Sequence, residues 1–197
     1  MNPLNYESFS LFPSIVQALE IEHFDNRELV KAAYDLKDRD KGVRKSNKGG
    51  WHSKTFQVSQ RDTPINQILI DMIGSFPNMK KDWKKDLYLH AWVNINGPGS
   101  FNVIHLHPGC QLSGVFWVKY PPNSGDISFR NPQEFIYHRL LTRGYEDDFK
   151  EQTKNKSYYR IRPQEGTMLM FPSSLEHGVD ENKSTEDRIS ISFNINF

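Results

Sequence analysis

Arg188-Ile-Ser-Ile-Ser-Phe-Asn-Ile-Asn-Phe197 closes the chain on a strict alternation. Ile189, Ile191, Phe193, Ile195 and Phe197 fall on one side, and Arg188, Ser190, Ser192, Asn194 and Asn196 on the other. A period of two belongs to a β-strand, so one face is wholly apolar and its reverse wholly polar. The apolar side suits a core, the polar side a cavity or solvent. A guanidinium on an inward strand face is costly unless paired, and its planar fork grips a carboxylate at two points. Ser190 shares that face and can donate a further hydrogen bond. The simpler alternative puts Arg188 on an exposed edge strand, paired with a surface acid.

Eleven residues before Arg188 stands His177, closing the run Gly166-Thr-Met-Leu-Met-Phe-Pro172-Ser-Ser-Leu-Glu-His177. Farther upstream lies Gly99-Ser-Phe-Asn-Val-Ile-His105-Leu-His107-Pro108, so three of the seven histidines belong to one pattern. On an extended segment i and i+2 point the same way, which lets His105 and His107 converge on one ion. His177, at the end of another strand, falls where a barrel would bring it opposite that pair. Imidazole suits iron, zinc, copper and nickel, so ligand type alone does not choose the metal. Any one of these residues could instead be a hydrogen-bonded surface or core histidine. Cys110, three residues after His107, reads as an inert small side chain rather than a ligand or nucleophile.

The remainder fits a mainly β (α+β) fold, a barrel flanked by N-terminal helices. Leu87–Ile95, Ser113–Tyr120, Asp126–Phe129 and Thr167–Phe171 are short, β-rich and separated by Gly, Pro and Asn. Phe12–Ile21 is a candidate opening strand and Trp51–Val58 another, with Asp40–Gly50 a polar loop between them. Asp25-Asn-Arg-Glu28 reads as a capping box for a helix burying Leu29, Val30, Ala33 and Tyr34. Thr63-Pro64 starts a second helix with Ile65, Ile68, Leu69, Met72 and Ile73 at helical spacing and Gly74 as its stop. Trp117 and Val115 serve either as pocket wall or barrel core, and Gly49-Gly50-Trp51-His52 either shapes an entrance or simply turns into a strand. The expected organisation is a single domain over 1–197. Residues 1–85 form N-terminal support, and 86–197 form the barrel, with a lid-like insertion near 135–158.

A chain of 197 residues can bury one sizeable core. Its formal net charge of +1 argues against nucleic acid or an anionic membrane as partner. Lys80-Lys81 and Lys84-Lys85 read as solvated surface. No apolar run approaches a membrane span, and the N-terminus lacks the pattern of a secretory signal. One cysteine excludes an internal disulfide, which suits a reducing, cytoplasmic location. Oligomeric state is open, a homodimer being compatible.

These residues resemble two groups of double-stranded β-helix (jelly-roll) proteins. Gly99 to His107 matches the Gly-x5-His-x-His signature of cupins, and Gly166, Pro172 and His177 match most of their second signature. Ser174, Gln111 and Glu181 depart from it, standing where a glycine, an acidic ligand and an asparagine are expected. The closer resemblance is to the Fe(II)/2-oxoglutarate-dependent oxygenases. There a distal His is followed about ten residues later by Arg-x-Ser, as in His177 and Arg188-Ile-Ser190 here. The loop Ser46–Ser53 also recurs in one sparsely characterised subfamily, and the likeness runs from about Leu11 onward.

The resemblance implies a cupin-like barrel binding Fe(II), 2-oxoglutarate and O2, with Arg188 and Ser190 holding the keto acid's distal carboxylate. It implies hydroxylation of an unidentified small-molecule or peptide substrate, with release of succinate and CO2. Most such oxygenases carry Asp or Glu where His107 stands. His105, His107 and His177 are the preferred metal set. A shifted register with Gly109 at the carboxylate position, a carboxylate from elsewhere such as Asp126, or solvent or halide in the gap are alternatives. A cupin-type metalloenzyme without 2-oxoglutarate and a non-catalytic binding barrel are the rival functions.

Overall fold

The computed structural model describes residues 13–79, 82, 87–133, 143–148 and 156–197. Two antiparallel sheets pack face to face, and two helices cover the outer side of the larger. In that sheet β1 (Gln17–Glu20), β10 (Thr167–Pro172), β7 (Leu112–Lys119), β12 (Arg188–Asn196), β5 (Tyr88–Asn96) and β3 (Trp51–His52) are neighbours in that order, and β4 (Phe56–Gln57) also pairs with β5. The smaller sheet runs β2 (Asn47–Lys48), β6 (Phe101–His105), β11 (His177–Val179), β8 (Ile127–Arg130) and β9 (Tyr158–Ile161). This is the expected mainly β architecture.

The closing strand behaves as its alternation requires. β12 lies between β5 and β7, so Arg188 is not on an edge. Ile189, Ile191, Phe193 and Ile195 are buried against Leu69 and Ile73 of α2 (Pro64–Gly74) and Leu29 and Ala33 of α1 (Arg27–Arg39). Phe197, beyond the strand end, is exposed and leaves that apolar row. The polar face turns inward between the sheets, where Val115 and Trp117 join Ile127, Phe129, Leu169, Phe171 and Leu175 in a second core. Trp117 and Val115 are therefore barrel core.

Helix α2 starts and stops where its sequence indicates: the Thr63 side chain accepts from the Asn66 N–H at 3.1 Å, and Gly74 is the last residue. Helix α1 departs from expectation. Its N-cap is Asn26, without a side-chain capping bond, because Asp25 instead accepts from the Arg27 backbone and guanidinium. A charge-assisted fork two residues away outcompetes the capping box. The Trp51–Val58 segment is likewise broken into β3 and β4. Between them the Ser53 hydroxyl accepts from the Val93 N–H at 2.9 Å, replacing a ladder carbonyl.

Strands β2, β9 and β11 and their pairing extend what composition suggested. Most of the expected insertion at 135–158 lies outside the described residues, as do Lys80, Lys81, Lys84 and Lys85. Gly114 on β7 leaves room for Phe193 of β12 on the helix-facing side of the larger sheet. A Cβ there would sit 2.2 Å from Phe193 Cζ and 2.6 Å from the Leu169 carbonyl. Phe193 is fully buried, so neither neighbour can yield freely. Gly114→Ala is expected to lower unfolding free energy by about 1–3 kcal/mol, read from the urea midpoint.

Candidate metal centre

His105 ends β6, and His177 begins β11 directly opposite it. Cross-strand partners share a face, so both imidazoles turn to the barrel interior. One irregularity adjoins this pair. Val179 pairs with Asn102 while His177 pairs with His105, so β6 carries one residue more than β11 between the two pairs. That bulge puts Asn102 and His105, three apart in sequence, on the same face; plain alternation would oppose them.

His107 arrives differently from the strand argument. It lies two residues beyond the end of β6, and its N–H donates to the Ser173 carbonyl at 3.0 Å. The turn between β10 and β11 thus pins the connection that carries it. The ring centroids are 4.6 Å apart for His105 and His177, 4.8 Å for His105 and His107, and 5.2 Å for His107 and His177. One candidate ligand atom from each lies within 4.8 Å of the others. Among the described residues this is the one such cluster, and no carboxylate or thiol joins it. Asp126 is engaged elsewhere: its carboxylate accepts from Arg162 at 3.1 Å and from the Tyr120 hydroxyl at 3.2 Å. Burial pushes the Cys110 thiol up, away from the thiolate, in keeping with its inert reading.

Backbone carbonyls set the tautomers. His105 Nδ1 donates to the Val103 carbonyl at 2.7 Å, and His177 Nδ1 to the Leu175 carbonyl at 2.8 Å. A carbonyl can only accept, so each Nδ1 carries the proton and each Nε2 presents a lone pair. Burial then holds the rings neutral. Desolvation pushes His177 down to about 3 and His107 down to about 4, aided by repulsion from the neighbouring imidazoles, and His105 also falls below its ordinary value. Phe171, its ring 4.6 Å from that of His177, backs the cluster with an apolar wall.

A fourth imidazole lies nearby, in the Gly49–His52 segment that the sequence offered as an entrance but not as a member of the histidine pattern. His52, on the inner face of β3, stacks on Trp92 at 5.6 Å and 6°, and Trp92 lies 5.5 Å from His107. The signal was its neighbour: if Trp51 packs outward, alternation turns His52 inward.

Arg188 is 2% exposed. One arm, Nη1, donates to the Ser124 carbonyl and to the Asp180 carbonyl, the latter at 3.0 Å. The other, Nη2, is buried without a partner. No carboxylate pairs with it among the described residues; the Asp180 carboxylate meets the Ser128 hydroxyl and Arg160, each at 3.3 Å. Burial lowers Arg188 to about 10, which still leaves it cationic at neutral pH. An unneutralised buried cation is expensive unless an anion joins it. Gly125, at φ +93°, lets the turn approach so closely that a Cβ would lie 2.3 Å from the Asp180 carbonyl. Ser190 shares the inner face with Arg188, with Asn94 across from it on β5, and Asn94 Oδ1 is also buried without a partner. Asn94, Ser124 and Asp180 carried no sequence signal, since their relevance comes entirely from cross-strand and loop contacts.

Two opposed antiparallel sheets, an inward histidine cluster and a buried arginine two residues before an inward serine define a double-stranded β-helix of the oxygenase type. A family model described as "Putative 2OG-Fe(II) oxygenase" matches residues 90–194, and the chain belongs to this family. No curated protein matches it. Among solved structures it resembles a Pseudomonas putida prolyl-4-hydroxylase (14% identity, TM-score 0.58, covering 92% of this chain and 91% of that one). It also resembles a Burkholderia pseudomallei oxidoreductase of the 2OG-Fe(II) oxygenase family (13%, TM-score 0.55, covering 92% and 84%). A third is SnoN, a non-heme alpha-ketoglutarate-dependent epimerase from nogalamycin biosynthesis (14%, TM-score 0.61, covering 91% and 75%). At such identities the likeness concerns the fold.

The depressed histidines make the metal-free protein acid-sensitive. Their folded pKa values lie below the ordinary 6.5, so the unfolded chain binds protons more readily. Stability is expected to be full above about pH 6.5 and to fall as pH drops towards 4. Urea midpoints across that range should decline less steeply for His177→Gln than for the native chain; parallel slopes would refute the assignment.

Proposed function

We propose that this protein is an Fe(II)- and 2-oxoglutarate-dependent dioxygenase that hydroxylates a small-molecule or peptide substrate. Arg188 carries the reading. A buried guanidinium with one free arm and no counter-ion among the described residues has the chemistry of an anchor for the distal carboxylate of a dicarboxylic acid. Ser190, whose hydroxyl makes no hydrogen bond among the described residues, would donate to the same group. His105, His107 and His177 would hold the iron through neutral nitrogen donors, those of His105 and His177 already oriented by their backbone carbonyls.

When bound, iron and 2-oxoglutarate supply the oxidising chemistry: O2 is consumed, the keto acid leaves as succinate and CO2, and a substrate C–H becomes C–OH. The chain's own part is positional. The Nδ1–carbonyl bonds stop the rings from rotating. The Ser124 and Asp180 carbonyls fix the direction of the Arg188 fork. Phe129 and Phe171, packed edge to face at 5.0 Å, keep water from the rear of the cluster. Three imidazoles place no carboxylate charge on the metal, unlike the usual two-histidine, one-carboxylate set. Iron is therefore expected to be held more weakly here, and the dianionic co-substrate to contribute more of the charge balance.

A cupin-type enzyme without 2-oxoglutarate assigns Arg188 no role, and a binding module tolerates loss of the histidines. Anaerobic Fe(II) reconstitution followed by 2-oxoglutarate titration separates these readings. The native chain should develop a visible metal-to-ligand charge-transfer band. His177→Ala should lose it, and Arg188→Ala should need at least about tenfold more 2-oxoglutarate. No band in the native chain, or unchanged affinity in Arg188→Ala, refutes the proposal.

A further inference from the structure

Away from the metal centre, a cavity of about 460 Å³ opens where the end of α1, the loop before β2 and the edge strand β3 meet. Lys37, Lys41 and Arg44 line it, together with Trp51, His52 and one carboxylate, Asp187. That carboxylate is already engaged, accepting from the Tyr34 hydroxyl at 2.6 Å. Several other surface cations are paired, as in Lys31–Asp35, Arg61–Asp71 and Lys119–Glu186. Lys37, Lys41 and Arg44 enter no ion pair among the described residues.

The loop that presents Lys41 and Arg44 beside Lys37 of α1 is tied down. The Val43 N–H donates to the His52 carbonyl at 2.8 Å, the Gly42 N–H to Asp40 Oδ1 at 2.9 Å, and Trp51 Nε1 to the Asp40 carbonyl at 3.0 Å. Three cations against the single carboxylate of Asp187 leave the concavity with a net positive charge, which favours a further anion. The volume is that of a small-molecule site, and Trp51 offers an aromatic wall beside the charges.

We propose that this cavity binds a phosphorylated small molecule. A doubly charged phosphate matches three cations better than a single carboxylate does, and lysine ammonium groups serve phosphate well as point charges. The site is distinct from the metal centre. Trp51 pairs with Ile95 on the helix-facing side of the large sheet, whereas the ring of His52 turns inward to Trp92. The proposal therefore does not depend on the oxygenase reading.

Calorimetric titration of the full chain with inorganic pyrophosphate, without added metal, tests it. The native chain should bind saturably. Lys41→Ala with Arg44→Ala should weaken binding at least about tenfold, and Lys37→Glu should weaken it as well. Lys45→Ala with Lys48→Ala removes the same charge from the end of that loop and from β2, outside the cavity lining, and should change affinity by less than about twofold. Arg188→Met should also leave it unchanged. Absent saturable binding, equal loss in the Lys45 and Lys48 pair, or loss in Arg188→Met would each overturn the proposal. Malonate binding as tightly as pyrophosphate would overturn the phosphate assignment in favour of a dicarboxylate.

Discussion

The pairing of His105 with His177 across β6 and β11 is the constraint on which the remainder of the site rests. It sets two imidazoles on the inner face of the smaller sheet and leaves one further connection to deliver His107. The bulge in β6 lets Asn102 face inward beside the pair. Without that extra residue the strand could direct either Asn102 or His105 inward, but not both, while keeping its hydrogen bonds to β11. A sheet regular everywhere would keep the histidine pair only by turning Asn102 outward.

The opposite sheet carries the other half of the proposed site by simpler means. Strand β12 keeps its alternation without interruption against β5, so its apolar side seals the helix-covered core while Arg188, Ser190 and Ser192 face inward. This places a cation in a protein interior with two carbonyls as its only hydrogen-bond partners among the described residues. Burial of that kind is destabilising in the empty protein and becomes favourable when an anion arrives. The proposed co-substrate is thus linked to stability as well as to catalysis: whatever neutralises Arg188 should also make the fold harder to open.

What could be read from the sequence was local. Helix α2 carries its cap, first-turn proline and stop within a dozen residues, and β12 carries a complete period-two pattern, so each specifies itself. The histidine pattern was legible because spacing and flanking turns are also local. Other features depend on partners far along the chain and leave no such trace. Ser53 interrupts a strand by substituting for a carbonyl opposite Val93, Asp25 abandons its capping role for Arg27, and β11 exists only because two strands flank it. His107 shows both sides of this. Its place in the cluster followed from spacing, while the reason it gets there is a hydrogen bond to Ser173.

The central claim is a metal centre made of three imidazoles and no protein carboxylate. Iron K-edge X-ray absorption on the anaerobically loaded protein measures this directly, because imidazole rings give a distinctive outer-shell scattering pattern. Three histidine ligands are expected in the native chain and two in His107→Ala. A native spectrum with fewer than three imidazoles, or one left unaltered by His107→Ala, would contradict the account.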